Sequence, residues 1–113
     1  MAKLSGDLKH KKCKPCEGGV KPLLPDEYEA FLQTELSGWE DVYKKKIEKE
    51  YKFKDFKEAL AFVNHVGKLA EEEGHHPDIY LYNWNRVKLT LMTHAIGGLS
   101  ENDFILASKI DAK

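Results

Sequence analysis

The sequence predicts an α+β domain in two layers, a four-stranded antiparallel sheet with three helices on one face. Three observations support this prediction. Three segments place apolar residues at helical spacing, and two pairs of segments alternate apolar with polar residues. Their order along the chain is helix, strand, strand, helix, strand, strand, helix. Hairpins pair antiparallel, and helices grouped on one face of the sheet complete a two-layer domain.

The length and composition are those of one ordinary globular domain. The chain has 113 residues, of which 42% are hydrophobic and 33% are charged, so it can bury a core without disulfides or a structural metal. The formal net charge of -1 gives no electrostatic reason to expect nucleic acid or an anionic membrane as a partner. No apolar run approaches the roughly 20 residues of a membrane span, and no signal-peptide pattern is present. We therefore expect a cytoplasmic protein.

Residues 1–24 differ in character from the rest. They are rich in lysine and then in glycine and proline, without periodicity, which predicts an irregular N-terminal arm ahead of a single domain over residues 25–113. The arm holds Cys13 and Cys16 at CxxC spacing, three residues after His10. A redox motif would need a following βαβ unit, and a zinc site would need a second ligand pair. Reduced thiols in a plain arm are the favoured interpretation, with redox or metal function as the alternative.

The first helix is predicted to begin at Pro25, which suits a first turn, and to end at Ser37–Gly38. Its apolar positions have helical spacing and are Tyr28, Phe31, Leu32 and Leu36. Two strands, at about residues 39–44 and 46–53, follow it.

The second helix has the clearest pattern in the chain. Asp55 and Glu58 resemble a capping box, Gly74 supplies a stop, and Pro77 prevents continuation. One apolar stripe runs along it, formed by Ala59, Phe62, Val63, Val66, Leu69 and Ala70.

The last three elements follow the Gly74–Pro77 corner. The segments IYLYN and RVKLTLMT predict a hairpin that turns near Trp84–Asn85, with Val87, Leu89 and Leu91 on a buried face. The segment IGGL turns the chain, and Ser100–Asp103 (SEND) caps the final helix.

Three of the five histidines mark the two ends of this hairpin. His75 and His76 precede Pro77, and His94 follows the second strand. Because the two ends of a hairpin lie side by side, the three imidazoles are expected to come together. Clustered imidazoles suit general acid–base catalysis near neutral pH. A three-histidine metal site is an alternative, although adjacent histidines rarely both reach one ion. The third interpretation is an ordinary turn beside a surface histidine.

Two segments, EEEGHHPDIYLYN and KLTLMTHAIGGLSENDFILASKID, closely resemble the pterin-4a-carbinolamine dehydratases. In that family a Glu-x-x-x-His-His-Pro corner precedes a hairpin that ends in Thr-His, and a Gly-Leu-Ser/Thr turn then leads to an Asp in the last helix. The residues at these positions are Glu71, His75, His76, Pro77, Thr93, His94, Gly98, Leu99, Ser100 and Asp103. The likeness spans roughly residues 20–111, and the combined motifs are far more specific than any one alone.

The resemblance implies a lyase that dehydrates 4a-hydroxytetrahydropterin to quinonoid dihydropterin, which recycles the cofactor of aromatic amino-acid hydroxylases. Loss of the 4a-hydroxyl needs a proton donor, and loss of the N5 proton needs a base, so imidazoles can supply both steps. His75 and His94 are the expected proton-transfer residues, and His76 is expected to hold the hydroxyl or the ring. The pterin is the substrate, and neither a cofactor nor a metal is expected.

The resemblance also implies supporting residues and partners. Glu71 and Asp103 are expected to orient imidazoles, although Asp103 suits a capping role equally well. Gly74, Pro77 and Thr93 are expected to contact the substrate. A homo-oligomer, dimer or tetramer, is expected, with a pterin-dependent hydroxylase in the same pathway. The alternative function is a non-catalytic dimerisation or assembly module that binds another protein. Such offshoots would be expected to lose catalytic histidines, and this chain keeps all three.

Overall fold

A computed structural model describes residue 4, residues 7–14 and residues 21–112, and it confirms the predicted α+β class. The helices are α1 (Pro25–Glu35), α2 (Phe56–Glu73) and α3 (Glu101–Asp111), and the strands are β1 (Glu40–Val42), β2 (Lys46–Lys52), β3 (Asp78–Tyr82) and β4 (Arg86–Leu91). Two short 3-10 helices, Leu8–His10 and His94–Ile96, lie outside this predicted order.

The four strands form one antiparallel sheet in the order β1-β2-β4-β3. Each hairpin turns through two consecutive residues with positive φ, Tyr43–Lys44 in the first and Asn83–Trp84 in the second. This left-handed backbone matches the twist of the flanking strands. The second turn therefore lies one residue earlier than predicted, and β4 ends at Leu91, before Met92 and Thr93.

The helices cover one face of the sheet, and the other face is open. Along β4, residues alternate between buried and half-buried positions, as predicted: Val87, Leu89 and Leu91 are fully buried. These three belong to the same core cluster as residues from all three helices. On the open face, Tyr80 stacks on Tyr82, with 4.8 Å between ring centroids. Burial of one face is what the alternating pattern predicts.

Both ends of α2 follow from local sequence. Asp55 accepts a hydrogen bond from the Glu58 backbone N–H at 2.8 Å, while the Glu58 carboxylate accepts from the Lys54 N–H, one residue before the cap. Gly74 follows the helix at φ 67°, in the left-handed region that glycine adopts without strain. Along the predicted stripe, Ala59, Val66 and Ala70 are buried, and Phe62, Val63 and Leu69 pack against the core.

Asp111 ties the last turn of α3 to the β1–β2 side of the sheet. Its carboxylate accepts hydrogen bonds from Trp39 Nε1, Lys49 Nζ and the Tyr51 hydroxyl, at 2.9, 3.0 and 2.6 Å. Burial and this carboxylate raise the pKa of Tyr51 above its usual range. Trp39 is itself buried.

The described part of the N-terminal segment lies against the domain. Leu8 and Cys13 are buried and belong to the core cluster. The Cys13 thiol is free, and Cys16 lies outside the described residues, so the CxxC interpretation stays a prediction, as does a domain boundary at residue 25. Across residue 4, residues 7–14 and residues 21–112, no helix has the length and apolar character that crossing a membrane requires.

Candidate active site at the end of the second hairpin

The corner after α2 sends two adjacent histidines in different directions. Gly74 takes the left-handed conformation, and the His75 N–H donates back to the Ala70 carbonyl at 3.2 Å, a bond of the Schellman type. The His75 side chain is only 7% exposed, whereas that of His76 is 61% exposed. One imidazole therefore enters the protein and the other faces solvent.

His75 is bound to the only fully buried carboxylate among the described residues. Its Nε2 lies 2.6 Å from Oδ1 of Asp103, whose side chain is 0% exposed. An ionised carboxylate can only accept hydrogen bonds, so Nε2 carries the proton and donates it. The other ring nitrogen, Nδ1, is then the one left to exchange protons with a ligand.

Two further groups hold the second oxygen of Asp103. Oδ2 accepts from the Ser100 backbone N–H at 2.9 Å and from the Thr93 hydroxyl at 2.8 Å. The Thr93 hydroxyl in turn lies 2.7 Å from that of Ser100. Asp103 thus has both of the roles that the sequence left open, since it completes the capping box of α3 and holds an imidazole.

The chain returns to this network through a short bridge. Thr93 pairs with Gly98 as an isolated antiparallel bridge, which brings the end of β4 back toward the start of α3. Thr93 is 2% exposed, and its hydroxyl and backbone groups are hydrogen-bonded within the chain. These contacts suit a residue that holds Asp103 in place, and substrate contact by Thr93 stays a prediction.

The second imidazole–carboxylate pair has the same contact distance in a different setting. Nε2 of His76 lies 2.6 Å from Oε2 of Glu71, one turn back on α2. The Glu71 side chain is 79% exposed, so water competes for this contact and weakens it.

His94 completes the histidine cluster from the end of the hairpin. It opens the 3-10 helix after Thr93, is exposed, and lines an open cleft of about 190 Å³. The lining residues come from the corner and from the end of the hairpin, and they are Gly74, His75, His76, Met92, Thr93, His94 and Ala95. The expectation that the hairpin would bring the three imidazoles together therefore agrees with the geometry.

The cleft differs in two ways from the residue set predicted from sequence. Pro77 follows His76 in the corner but is not among the lining residues, whereas Met92 and Ala95 are. Ser100 was predicted only as a cap, yet its hydroxyl contacts Thr93 and its N–H contacts Asp103. Its place in the SEND motif signalled the cap, and no local signal indicated the contact with Thr93.

Within residue 4, residues 7–14 and residues 21–112, the structure gives little support for a metal site or for a reactive thiol. No group of three or more His, Cys, Asp or Glu side chains there is placed to hold a metal ion. Burial, and secondarily the Glu73 carboxylate, raises the pKa of the Cys13 thiol to about 12, so little reactive thiolate forms at neutral pH.

The fold and the cleft together define a small α+β protein with a cleft lined by three histidines, two of which are hydrogen-bonded to carboxylates. The chain belongs to the pterin 4 alpha carbinolamine dehydratase family, whose sequence model matches residues 21–113. A protein of Alkaliphilus metalliredigens named "Putative pterin-4-alpha-carbinolamine dehydratase" is 49% identical over 105 residues, covering 93% of this chain and 94% of the relative. The "Pterin-4-alpha-carbinolamine dehydratase 2, mitochondrial" of Arabidopsis thaliana is 43% identical over 93% of this chain and 58% of its own length.

Two solved structures share the fold. A "transcriptional coactivator/pterin dehydratase" from Brucella melitensis superposes with a TM-score of 0.74 at 34% identity, covering 81% of this chain and 97% of the other. A pterin dehydratase-like protein described as a RuBisCO assembly factor in the alpha-carboxysome gives a TM-score of 0.56 at 26% identity, over 66% and 87% of the two chains. Similar folds therefore occur in proteins with different described roles.

Proposed function

We propose that this chain dehydrates 4a-hydroxytetrahydropterin to quinonoid dihydropterin in the three-histidine cleft. The observation that carries the proposal is the convergence of His75, His76 and His94 on one cleft, together with a carboxylate bound to each of the first two. Family membership supports the substrate class.

The reaction needs one proton delivered and one removed. A protonated imidazole gives its proton to the 4a-hydroxyl, the C4a–O bond breaks, and water leaves. A neutral imidazole takes the N5 proton, and the electron pair of the N5–H bond forms the C4a=N5 double bond. Protons and electrons balance without an oxidant, a reductant or a metal. Each proton transfer contributes about 10²–10⁴-fold in favourable cases.

The geometry suggests how the imidazoles divide this work. Because Nε2 of His75 donates to Asp103, proton exchange with the pterin falls to its Nδ1. His94 is exposed and lines the same cleft, and it serves as the second proton-transfer group. His76, held by Glu71 in solvent, binds the hydroxyl or the pterin ring. Gly74, Pro77 and Thr93 are the remaining proposed substrate contacts.

The alternative is a non-catalytic dimerisation or assembly module. The assembly-factor neighbour provides a precedent for it. The hydrogen-bonded carboxylates behind His75 and His76 favour catalysis, since a surface that only binds protein has no need of paired imidazoles. We also propose, from the family resemblance, that the chain self-associates as a dimer or tetramer, that a pterin-dependent hydroxylase supplies its substrate, and that it works in the cytoplasm.

The test follows the ultraviolet absorbance of freshly generated 4a-hydroxytetrahydropterin in the presence of the wild type, His94→Ala and His65→Ala. His65 is an exposed histidine on α2 that does not line the cleft, so its variant is the matched control. We expect acceleration by the wild type and by His65→Ala, and a loss of roughly 10²-fold or more in His94→Ala. A folded wild type that gives no acceleration would overturn the proposal and favour the assembly module.

A further inference from the structure

The His75–Asp103 hydrogen bond joins two separate helix ends. His75 follows the last residue of α2 and its glycine, and Asp103 lies in the first turn of α3. A bond of 2.6 Å between groups on different helices is maintained only if the two ends keep a fixed separation. Whatever holds those ends together therefore sets the orientation of the His75 ring.

Two residues of the N-terminal segment, Cys13 and Lys14, bind both helix ends; we call them the strap. At the end of α2, the Cys13 N–H donates to Oε1 of Glu73 at 2.9 Å. At the start of α3, the Lys14 N–H donates to Oδ1 of Asn102 at 2.9 Å, and Nδ2 of Asn102 donates to the Lys14 carbonyl at 2.6 Å.

The helix residues that receive the strap lie next to the site in sequence. Glu73 precedes Gly74 and His75, and Asn102 immediately precedes Asp103. A backbone shift at either contact therefore passes to the site through one or two residues. The Cys13 thiol also lies 3.6 Å from the Asn102 carbonyl, so the strap fills the space at this junction as well as binding it.

Glu73 is a buried carboxylate at this junction, and cations surround it. The Glu73 side chain is 7% exposed, and its Oε2 lies 3.3 Å from Nζ of Lys109 on α3. Burial acts to raise the pKa of Glu73, but the Cys13 N–H and the cations of Lys109 and Lys12 outweigh it, and the pKa lies below its ordinary value. Glu73 is thus ionised at neutral pH and links the strap, α2 and α3.

We propose that the strap holds the His75–Asp103 pair in its productive geometry, with Glu73 and Asn102 as positioning residues that do not touch substrate. The strap lies outside residues 21–113, the part of the chain that the family model matches. The catalytic consequence rests on the proposed dehydratase function, whereas the geometric consequence does not. Small misplacements of a catalytic group cost rate, up to about 10²-fold for a shift of 1 Å.

The experiment compares Asn102→Ala, which removes both Lys14 hydrogen bonds, with Lys11→Ala. Lys11 forms an exposed ion pair with Glu101 of α3, at 3.0 Å, so its variant weakens a neighbouring contact between the same segments without touching the strap. Two readouts are taken on the full chain: kcat and KM for dehydration, and the downfield proton NMR signal of the His75 Nε2–H that donates to Asp103.

We expect Asn102→Ala to lower kcat by about 10-fold or more, to leave KM within about twofold, and to broaden or shift the Nε2 proton signal. Lys11→Ala should leave kcat, KM and the signal as in the wild type. A folded Asn102→Ala protein with wild-type kcat and an unchanged signal would overturn the proposal. If the wild type shows no dehydration, the proposed function fails. The NMR comparison then still tests whether the strap positions the His75–Asp103 pair.

A second pair of variants covers the case in which Asn102→Ala does not fold. Glu73→Gln keeps an acceptor for the Cys13 N–H, whereas Glu73→Ala removes it. We expect the glutamine variant to retain the Nε2 signal and most of kcat, and the alanine variant to lose both. If the two variants have the same kcat and the same Nε2 proton signal, a positioning role for Glu73 is contradicted.

Discussion

The two imidazole–carboxylate pairs of the cleft have the same contact distance and opposite environments. His75 and Asp103 are 2.6 Å apart with 7% and 0% of their side chains exposed, and His76 and Glu71 are 2.6 Å apart with 61% and 79% exposed. Distance alone would rank the two contacts as equal. Their surroundings show that they are not.

The difference lies in what else each carboxylate contacts. Asp103 also accepts hydrogen bonds from the Ser100 N–H and the Thr93 hydroxyl, so its carboxylate is fixed beside the His75 ring. The Glu71 pair is shared with water, where an ion pair gains about 0–1 kcal/mol. The buried pair is therefore preorganised and is our proposed proton-transfer unit, whereas the exposed pair is free to adjust to a ligand.

The largest effect is expected from Asp103→Asn, which keeps the shape of the side chain and removes its charge. The amide keeps one acceptor oxygen but turns an NH2 donor toward either the His75 donor or the Ser100 and Thr93 donors, and breaking a buried pair costs about 3–5 kcal/mol. We expect a fall of that order in the free energy of unfolding and a loss of about 10²–10⁴-fold in turnover. Urea denaturation and single-turnover dehydration measure the two. Wild-type values for both would show that the buried pair is not central.

The matched change in the exposed pair is Glu71→Gln. Because this contact is solvent-screened, we expect the free energy of unfolding to change by less than about 1 kcal/mol. Turnover should fall by less than about 10-fold, since His76 keeps its place in the cleft. The same two measurements apply. A loss as large as that of Asp103→Asn would mean that exposure does not separate the two pairs.

The third prediction concerns Glu73, behind the buried pair. Its pKa in the fold lies below the ordinary value of 4.5, so its charge stabilises the fold above that pH, and the contribution is lost as the pH falls through the lowered value. Glu73→Gln should be less stable than the wild type at pH 7, and the gap should close as the pH falls through the lowered pKa of Glu73. Urea titrations across this acid range, with the exposed neighbour changed as Glu72→Gln for control, test this. A gap that is unchanged at low pH would contradict it.

The smallest effect is expected at the Cys13 thiol, which should react only slowly in the folded protein. A pKa raised to about 12 lowers the thiolate fraction at pH 8 by roughly 10³-fold. In a Cys16→Ser background, Cys13 should react with a disulfide reagent far more slowly than free cysteine does, and its rate should rise on adding denaturant. Rapid modification of the folded protein would instead point to an exposed thiol.

Sequence patterns predicted the fold where local rules decide it. The Asp55 cap, the Gly74 stop and the alternation of Val87, Leu89 and Leu91 are each set by neighbours within a few residues. The prediction that His94 returns to the Gly74–Pro77 corner needed only the closure of one hairpin.

The hydrogen bonds inside the site could not be predicted in the same way. Which of two adjacent histidines is buried depends on the position of α3, which the corner sequence does not encode. The Thr93–Ser100–Asp103 network depends on the Thr93–Gly98 bridge. The strap contacts to Glu73 and Asn102 span 60 and 88 residues, so no local pattern signals them.

Both imidazole–carboxylate pairs and His94 are proposed to act on one pterin. The most direct test is to follow the side-chain NMR signals of all five histidines while a stable tetrahydropterin is titrated into the wild-type protein. We expect the signals of His75, His76 and His94 to shift together with a single Kd, while those of His10 and His65 stay in place. Shifts at His76 alone, or equal shifts at His10 and His65, would contradict it.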